Sequence, residues 1–107
     1  MKLISREELR EKLDRGHKFK LAMVLGDWAY RAKHIPGSLN ISTPEQGMAL
    51  LNRDDEIVVY CSNKDCIASI SAYHLLEGNG FKDVRRYAGG LLDWEEAGYP
   101  LEGEMVK

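Results

Sequence analysis

Short apolar runs alternate with amphipathic segments along this 107-residue chain. The apolar runs predict strands over residues 19–25, 39–41, 57–60 and 84–87, with a short edge strand over 2–4. Helices are predicted between Ser5 and Gly16, over 28–33 and 44–52, from Cys66 to Gly78, and between Gly90 and Gly98. Strands that alternate with helices, and that are too apolar to face water on one side, predict an α/β fold with three layers. We expect a central parallel sheet of about five strands with helices on both faces.

Residues that favour helix starts support this order of elements. Ser5 is predicted to cap the first helix, with Glu8 as its capping-box partner. Thr43 and Gln46 predict the same arrangement at the start of the third helix. Asp27 is a predicted cap of the short second helix.

The stretch over residues 57–67 is the main candidate for chemistry. Cys61 follows an apolar strand, and four polar residues separate it from Cys66 at the start of a predicted helix. The crevice at the carboxyl ends of parallel strands is where open α/β sheets bind ligands. Backbone N–H groups of residues 62–66, curled around the sulfur, would form an anion-binding nest that favours a thiolate. The alternative is that Cys61 is a small buried residue of the core.

Composition limits the classes of function. With 44% hydrophobic residues, 30% charged residues and a net charge of −2, the chain is expected to form one domain over 1–107. Nothing in this balance favours a nucleic-acid or membrane partner, and a cytoplasmic monomer is expected. Two cysteines without paired histidines argue against a metal, and no cofactor is expected. Residues 102–107 are predicted to be a frayed tail.

Three separated segments carry a family resemblance. They are HIPGSLN over residues 34–40, VVYC over 58–61 with the following loop and helix, and YAGG over 87–90 with Trp94 and GYP over 98–100. In this order and at these spacings, they resemble a single-domain rhodanese, a member of the sulfurtransferase-like family. The resemblance covers nearly the whole chain and implies the same α/β fold.

The resemblance also implies an activity. Cys61 would be the nucleophile that takes a sulfane sulfur from a small donor, holds it as a persulfide and passes it to a thiol acceptor, including a protein thiol. The loop residues Ser62, Asn63, Lys64 and Asp65 would bind the substrate through backbone N–H groups, with Lys64 as the cation of the loop. Thiosulfate, a polysulfide or a persulfide would be the donor.

The chain departs from the family pattern at Cys66. Many rhodanese loops carry an arginine at this position, and Met23 to Leu25 replaces the family's Asp-Val-Arg. Asp65 also opposes Lys64 and is a candidate cap of the helix, so we expect weak selectivity for the thiosulfate dianion. Cys66 is either a resolving thiol for Cys61 or a residue turned into the core.

Alternative functions stay open at this stage. Cys61 and Cys66 also suit a thiol-disulfide or persulfide reductase, and the domain could be a non-catalytic binding module of the rhodanese type. A phosphatase is disfavoured, because Ile67 stands where phosphatases of this fold carry a phosphate-binding arginine. Trp28 and Trp94 are expected to be packing residues and not platforms for a substrate, and His34 is expected to be structural.

Overall fold

The computed structural model describes residues 1–106 of the chain. The helices are α1 (Arg6–Asp14), α2 (Asp27–Ala32), α3 (Pro44–Leu50), α4 (Ala68–Gly78) and α5 (Gly90–Glu96). The strands are β1 (Lys20–Met23), β2 (Leu39–Asn40), β3 (Glu56–Tyr60) and β4 (Asp83–Arg86). Each element lies within about two residues of its predicted position, as expected for element ends read from local patterns.

The sheet has the order β2-β1-β3-β4, and all neighbouring strands are parallel. The α/β fold is therefore confirmed, with four strands instead of about five. The predicted edge strand over 2–4 is reduced to a single bridge between Leu3 and Arg86. Since all four strands run the same way, their carboxyl ends meet at one edge, which we call the carboxyl edge.

The strand β3 divides its side chains between two cores. Val58 and Tyr60 pack on one face with residues of α1 and α5, and Ile57 and Val59 pack on the other with residues of α4. This alternation follows from the two-residue period of a strand, and burial on both faces explains why the run is continuously apolar. The predicted arrangement of helices on both faces is confirmed.

The predicted capping box forms fully only at α1, where Ser5 and Glu8 make both reciprocal contacts. At α3, Thr43 accepts the N–H of Gln46 at 3.2 Å as predicted, but the Gln46 side chain accepts from Ser42 instead of from the Thr43 N–H. Asp27 does not cap α2, because the cap position is Gly26 and Asp27 lies inside the first turn. A carboxylate in the first turn still favours the helix through its dipole.

The end of the chain is hydrogen-bonded, so the prediction of a frayed tail is wrong for residues 102–106. Glu102 and His34 exchange two backbone hydrogen bonds, of 2.8 and 3.0 Å. Glu104 and Met105 donate to the carbonyls of Arg31 and Ala32 at the end of α2. Residue 107 lies outside the described residues. None of the helices in residues 1–106 is long and apolar enough to span a membrane.

Candidate active site

Cys61 follows directly after β3 at the carboxyl edge of the sheet. Its side chain is 1% exposed, and β3 is a central strand, paired with β1 and β4. The backbone pairing with both neighbouring strands continues just beyond their ends. Val24, after β1, donates its N–H to the Tyr60 carbonyl, and Tyr87, after β4, donates its N–H to the Val59 carbonyl. The cysteine therefore stands on the most firmly held strand of the sheet, at the start of the loop over 61–67.

The two cysteines are joined to one another. Cys61 and Cys66 form a disulfide with their Cα atoms 6.4 Å apart, which is within the usual range for such a bond. Cys66 is half-buried, while Cys61 is enclosed. The loop thus brings together the two thiols whose contact the sequence left open.

Asn63 organises the loop. Its side-chain oxygen accepts the N–H of Asp65 at 2.9 Å, and its carbonyl accepts the N–H of Cys66 at 3.1 Å. Two of the five N–H groups expected to face the Cys61 sulfur are therefore directed at Asn63 instead. An asparagine that bonds its own backbone two residues on is a common turn device, and here it takes the N–H groups of Asp65 and Cys66 out of the predicted nest.

The helix after the loop starts later than predicted. It begins at Ala68 and not at Cys66, and its cap position, Ile67, makes no side-chain cap. Asp65 therefore does not cap α4, and its side chain is exposed together with that of Lys64. The side chains of Lys64 and Asp65, which were predicted to oppose each other, are both exposed to solvent, where an ion pair contributes little to stability.

The first turn of α5 holds the other side of the loop. Leu91 and Leu92 donate their N–H groups to the carbonyls of Cys61 and Ser62, both at 2.8 Å. Gly90 makes this approach feasible, because it has a φ of +68° and a Cβ there would lie 2.6 Å from the Cys61 oxygen. The two-glycine turn thus fixes the backbone of Cys61.

Arg86 also belongs to this site, although it is not among the site residues predicted from the sequence. The side chain is only 7% exposed and lies beneath the loop, where Nη2 donates to the Lys64 carbonyl at 3.4 Å. Its Nε donates to Ser69 Oγ at 2.8 Å, and that oxygen is 3.3 Å from the Cys61 sulfur. The signal was present in the two-residue period of β4, which puts Arg86 on the same buried face as Val84.

An open apolar cavity of about 420 Å³ lies beside the loop. Its lining includes Leu25, Trp28, Leu91 and Met105, and it reaches Ser62. Trp28 is 74% exposed, so the prediction that this side chain serves packing is wrong. Its helix, α2, has no buried residue and lies at the rim of the sheet.

The HIPGS segment is part of the framework. Tyr60 donates its hydroxyl hydrogen to Ser38 Oγ at 2.9 Å and accepts the N–H of Ile35 at 3.0 Å. Burial raises the pKa of Tyr60 to about 12. His34 binds the carbonyl of Tyr30 through Nδ1 at 2.7 Å and stacks on its ring. These contacts anchor the crossover to β2 against the last residue of β3, and they support the structural assignment of His34.

Comparisons with known proteins agree on one family. A model of the Rhodanese-like domain matches residues 5–97. The HTH-type transcriptional regulator Rv0324 of Mycobacterium tuberculosis is 34% identical over 101 residues, which cover 92% of this chain and 44% of that protein. The probable adenylyltransferase/sulfurtransferase MoeZ of the same organism is 30% identical, over 91% of this chain and 25% of its own length.

A solved structure gives the same result. The human single-domain sulfurtransferase TSTD1 superimposes with a TM-score of 0.74 at 28% identity, covering 90% of this chain and 96% of that one. The present chain spans less than half the length of the curated relatives it matches. The family model over residues 5–97, the parallel sheet and the cysteine at its carboxyl edge agree, and the chain belongs to the Rhodanese-like domain family.

Proposed function

We propose that this domain is a sulfurtransferase that carries sulfur as a persulfide on Cys61. The observation that carries the proposal is the position of Cys61, enclosed at the carboxyl end of the central strand β3 with a second cysteine bonded to it. The reduced Cys61 thiolate attacks the outer sulfur of a donor R–S–SH, the S–S bond breaks, and R–SH leaves. An acceptor thiolate then attacks the outer sulfur of the Cys61 persulfide and regenerates the thiolate.

An organic persulfide or a polysulfide suits this site better than thiosulfate. The cavity beside the loop is walled mainly by apolar side chains such as Leu25, Trp28 and Leu91. Lys64, the cation of the loop, is exposed and therefore well solvated. A compact dianion would lose hydration here without a matching charge, whereas a persulfide brings an apolar group and one negative charge.

The disulfide favours a second step for Cys66. Its thiolate would attack the inner sulfur of the Cys61 persulfide, expel hydrosulfide and form the Cys61–Cys66 disulfide. A dithiol reductant then restores both thiols and is itself oxidised to a disulfide. With this step the domain acts as a persulfide reductase, whereas without it the sulfur passes to an acceptor.

Intact-protein mass spectrometry tests the proposal. The protein is reduced, freed of reductant, and exposed separately to thiosulfate and to a polysulfide. Cys66→Ala should gain the mass of one sulfur atom with the polysulfide, and Cys61→Ser should gain none. The wild type should release sulfide and lose two hydrogens as the disulfide forms.

The other outcomes identify the alternatives. A stable persulfide in both the wild type and Cys66→Ala, with no disulfide, would leave a simple transferase and rule out the resolving step. If Cys61→Ser takes up sulfur at the wild-type rate, Cys61 is not the carrier. If no protein gains sulfur from either donor, we interpret the domain as a non-catalytic binding module. The similarity to a transcriptional regulator would then support this interpretation.

A further inference from the structure

Arg86 is a charged residue at a buried position of β4, where an apolar residue is expected. It follows Val84 at the two-residue period of β4 and is 7% exposed, on the face that packs against α4. Within residues 1–106, no carboxylate oxygen lies within 4 Å of its guanidinium. Arginine is almost never buried without a partner, because removing the charge from water costs several kcal/mol. A buried arginine with neutral partners calls for another anion nearby.

Its contacts lead to the Cys61 sulfur. Arg86 Nε donates to Ser69 Oγ at 2.8 Å, and Ser69 Oγ lies 3.3 Å from Cys61 Sγ. Since the hydroxyl oxygen accepts from the guanidinium, its own hydrogen is available to the sulfur. Ser69 is itself buried in the first turn of α4, so this two-contact relay is shielded from solvent.

Other charges around the loop do not supply this interaction. Lys64 and Asp65 are exposed on the loop itself. Lys33, which follows α2, lines the same cavity as Ser62, and its Nζ is 2.7 Å from a carboxylate oxygen of Glu95. On α5, Asp93 accepts from Arg6 and Tyr87, and on β3 the hydroxyl of Tyr60 is bonded to Ser38.

We propose that Arg86 is a positioning residue for Cys61: it orients the Ser69 hydroxyl toward the sulfur and stabilises the anionic thiolate and persulfide. The inference rests on the proposed function and extends it. It supplies, from β4 and beneath the loop, the positive charge that an arginine at position 66 would have supplied from the loop. In the disulfide the sulfur is neutral, so the counter-charge for Arg86 arises only when Cys61 is reduced or persulfidated.

The acidity of Cys61 tests this role without any sulfur transfer. In a Cys66→Ala background, Cys61 is the single thiol, and its alkylation by iodoacetamide is followed by mass spectrometry across a pH series. The midpoint of the rate-against-pH curve reports the thiolate fraction, because limited access scales the rate equally at every pH. Arg86→Met, which keeps the length and apolar stem, should raise this midpoint by about one pH unit.

Three further variants test whether the midpoint depends on the positive charge of Arg86 alone or also on its hydrogen bond to Ser69. Ser69→Ala removes the relay and should also raise the midpoint, and Arg86→Lys, which keeps the charge but lacks Nε, should give an intermediate value. Arg85→Met is the matched control, because it removes the same charge from the adjacent residue on the opposite face, where Arg85 lies 3.7 Å from Asp83. Its midpoint should not change.

Equal midpoints in Arg86→Met and Arg85→Met would overturn the proposal. If Arg86→Met does not fold, as judged by circular dichroism, unchanged midpoints in Ser69→Ala and Arg86→Lys would overturn it as well. Failure of the proposed function gives a different result, since a domain that takes no sulfur from any donor would still show the shifted midpoint.

Discussion

The two faces of the sheet are packed in different ways. The face covered by α1 and α5 is filled with aromatic rings whose polar ends are bonded, such as Trp94, Tyr60 and Tyr87. The face covered by α3 and α4 is mainly aliphatic and leaves an apolar groove of about 260 Å³ between these helices. On the aromatic face, Trp94 is held by a fixed polar contact and the cavity is confined to the edge at Leu91, whereas the groove of the aliphatic face is lined by core residues such as Leu76.

The two faces also contact Cys61 in different ways. From the aromatic face, α5 fixes the backbone of Cys61 and Ser62 by two N–H donors. From the aliphatic face, Arg86 and Ser69 contact the loop and the sulfur through side chains. One face therefore sets where the cysteine is, and the other supplies the charge near it.

The largest expected effect is on the aromatic face. Trp94→Ala should lower the free energy of unfolding by about 4 kcal/mol, because a large buried ring and its 2.8 Å hydrogen bond to the Pro100 carbonyl are lost. Urea denaturation measures this change. Leu76→Ala, beside the groove, should cost only about 2 kcal/mol, since its surroundings can collapse into existing space. Equal losses would mean that the faces do not differ in this way.

The second effect tests the coupling of α5 to the loop. Gly90→Ala should cost about 2 to 3 kcal/mol, because the residue has a positive φ and the new Cβ would meet the Cys61 carbonyl. Gly98→Ala is the matched control, with a φ of +75° and no atom within 4 Å of the added Cβ. It should cost about 1 kcal/mol, the conformational part alone. Chemical denaturation of both variants measures the difference, and equal costs would argue against a close contact at Gly90.

The third effect concerns the polar ends of the aromatic face. Tyr60→Phe should cost about 1 to 2 kcal/mol at neutral pH, because the Ile35 N–H and the Ser38 hydroxyl lose their partner.

This cost depends on pH. Burial raises the pKa of Tyr60 to about 12 in the folded protein, against about 10 when unfolded. The stabilising contribution of the neutral phenol is therefore complete below about pH 10 and is lost as the pH rises toward 12. The difference in stability between wild type and variant should narrow over this range in denaturation curves. A constant difference would show that Tyr60 titrates normally.

The smallest expected effect is a gain in stability from a substitution on the aliphatic face. Gly47→Ala should stabilise the protein by about 0.5 to 1 kcal/mol, because Gly47 lies inside α3 and an added Cβ would be 3.6 Å from Ile41 Cγ2, an ordinary contact. Gly78→Ala, with open space at the end of α4, measures the helix preference alone. The comparison is made by thermal and urea denaturation. A loss of stability at Gly47 would show that the groove cannot accept even one methyl group.

The sequence by itself determined the elements and the place of Cys61. The box of Ser5 and Glu8 and the apolar run of β3 act within a few residues, so local rules suffice to predict them. Alternation of strands and helices then puts every strand end at one edge, which is why the position of Cys61 followed from its place in the chain.

Only the tertiary structure decided what surrounds the sulfur. Ser69 and Arg86 are 17 residues apart and meet because β3 and β4 pair under α4. The exposure of Trp28 and the hydrogen bonds of Glu102 to His34 depend likewise on elements far apart in sequence. Two N–H groups of the loop, those of Asp65 and Cys66, had a local partner in Asn63, but whether they bond to it or to the sulfur depended on how the loop is held. Local periodicity can identify a buried position, whereas the partner of a buried charge is set by packing between distant segments.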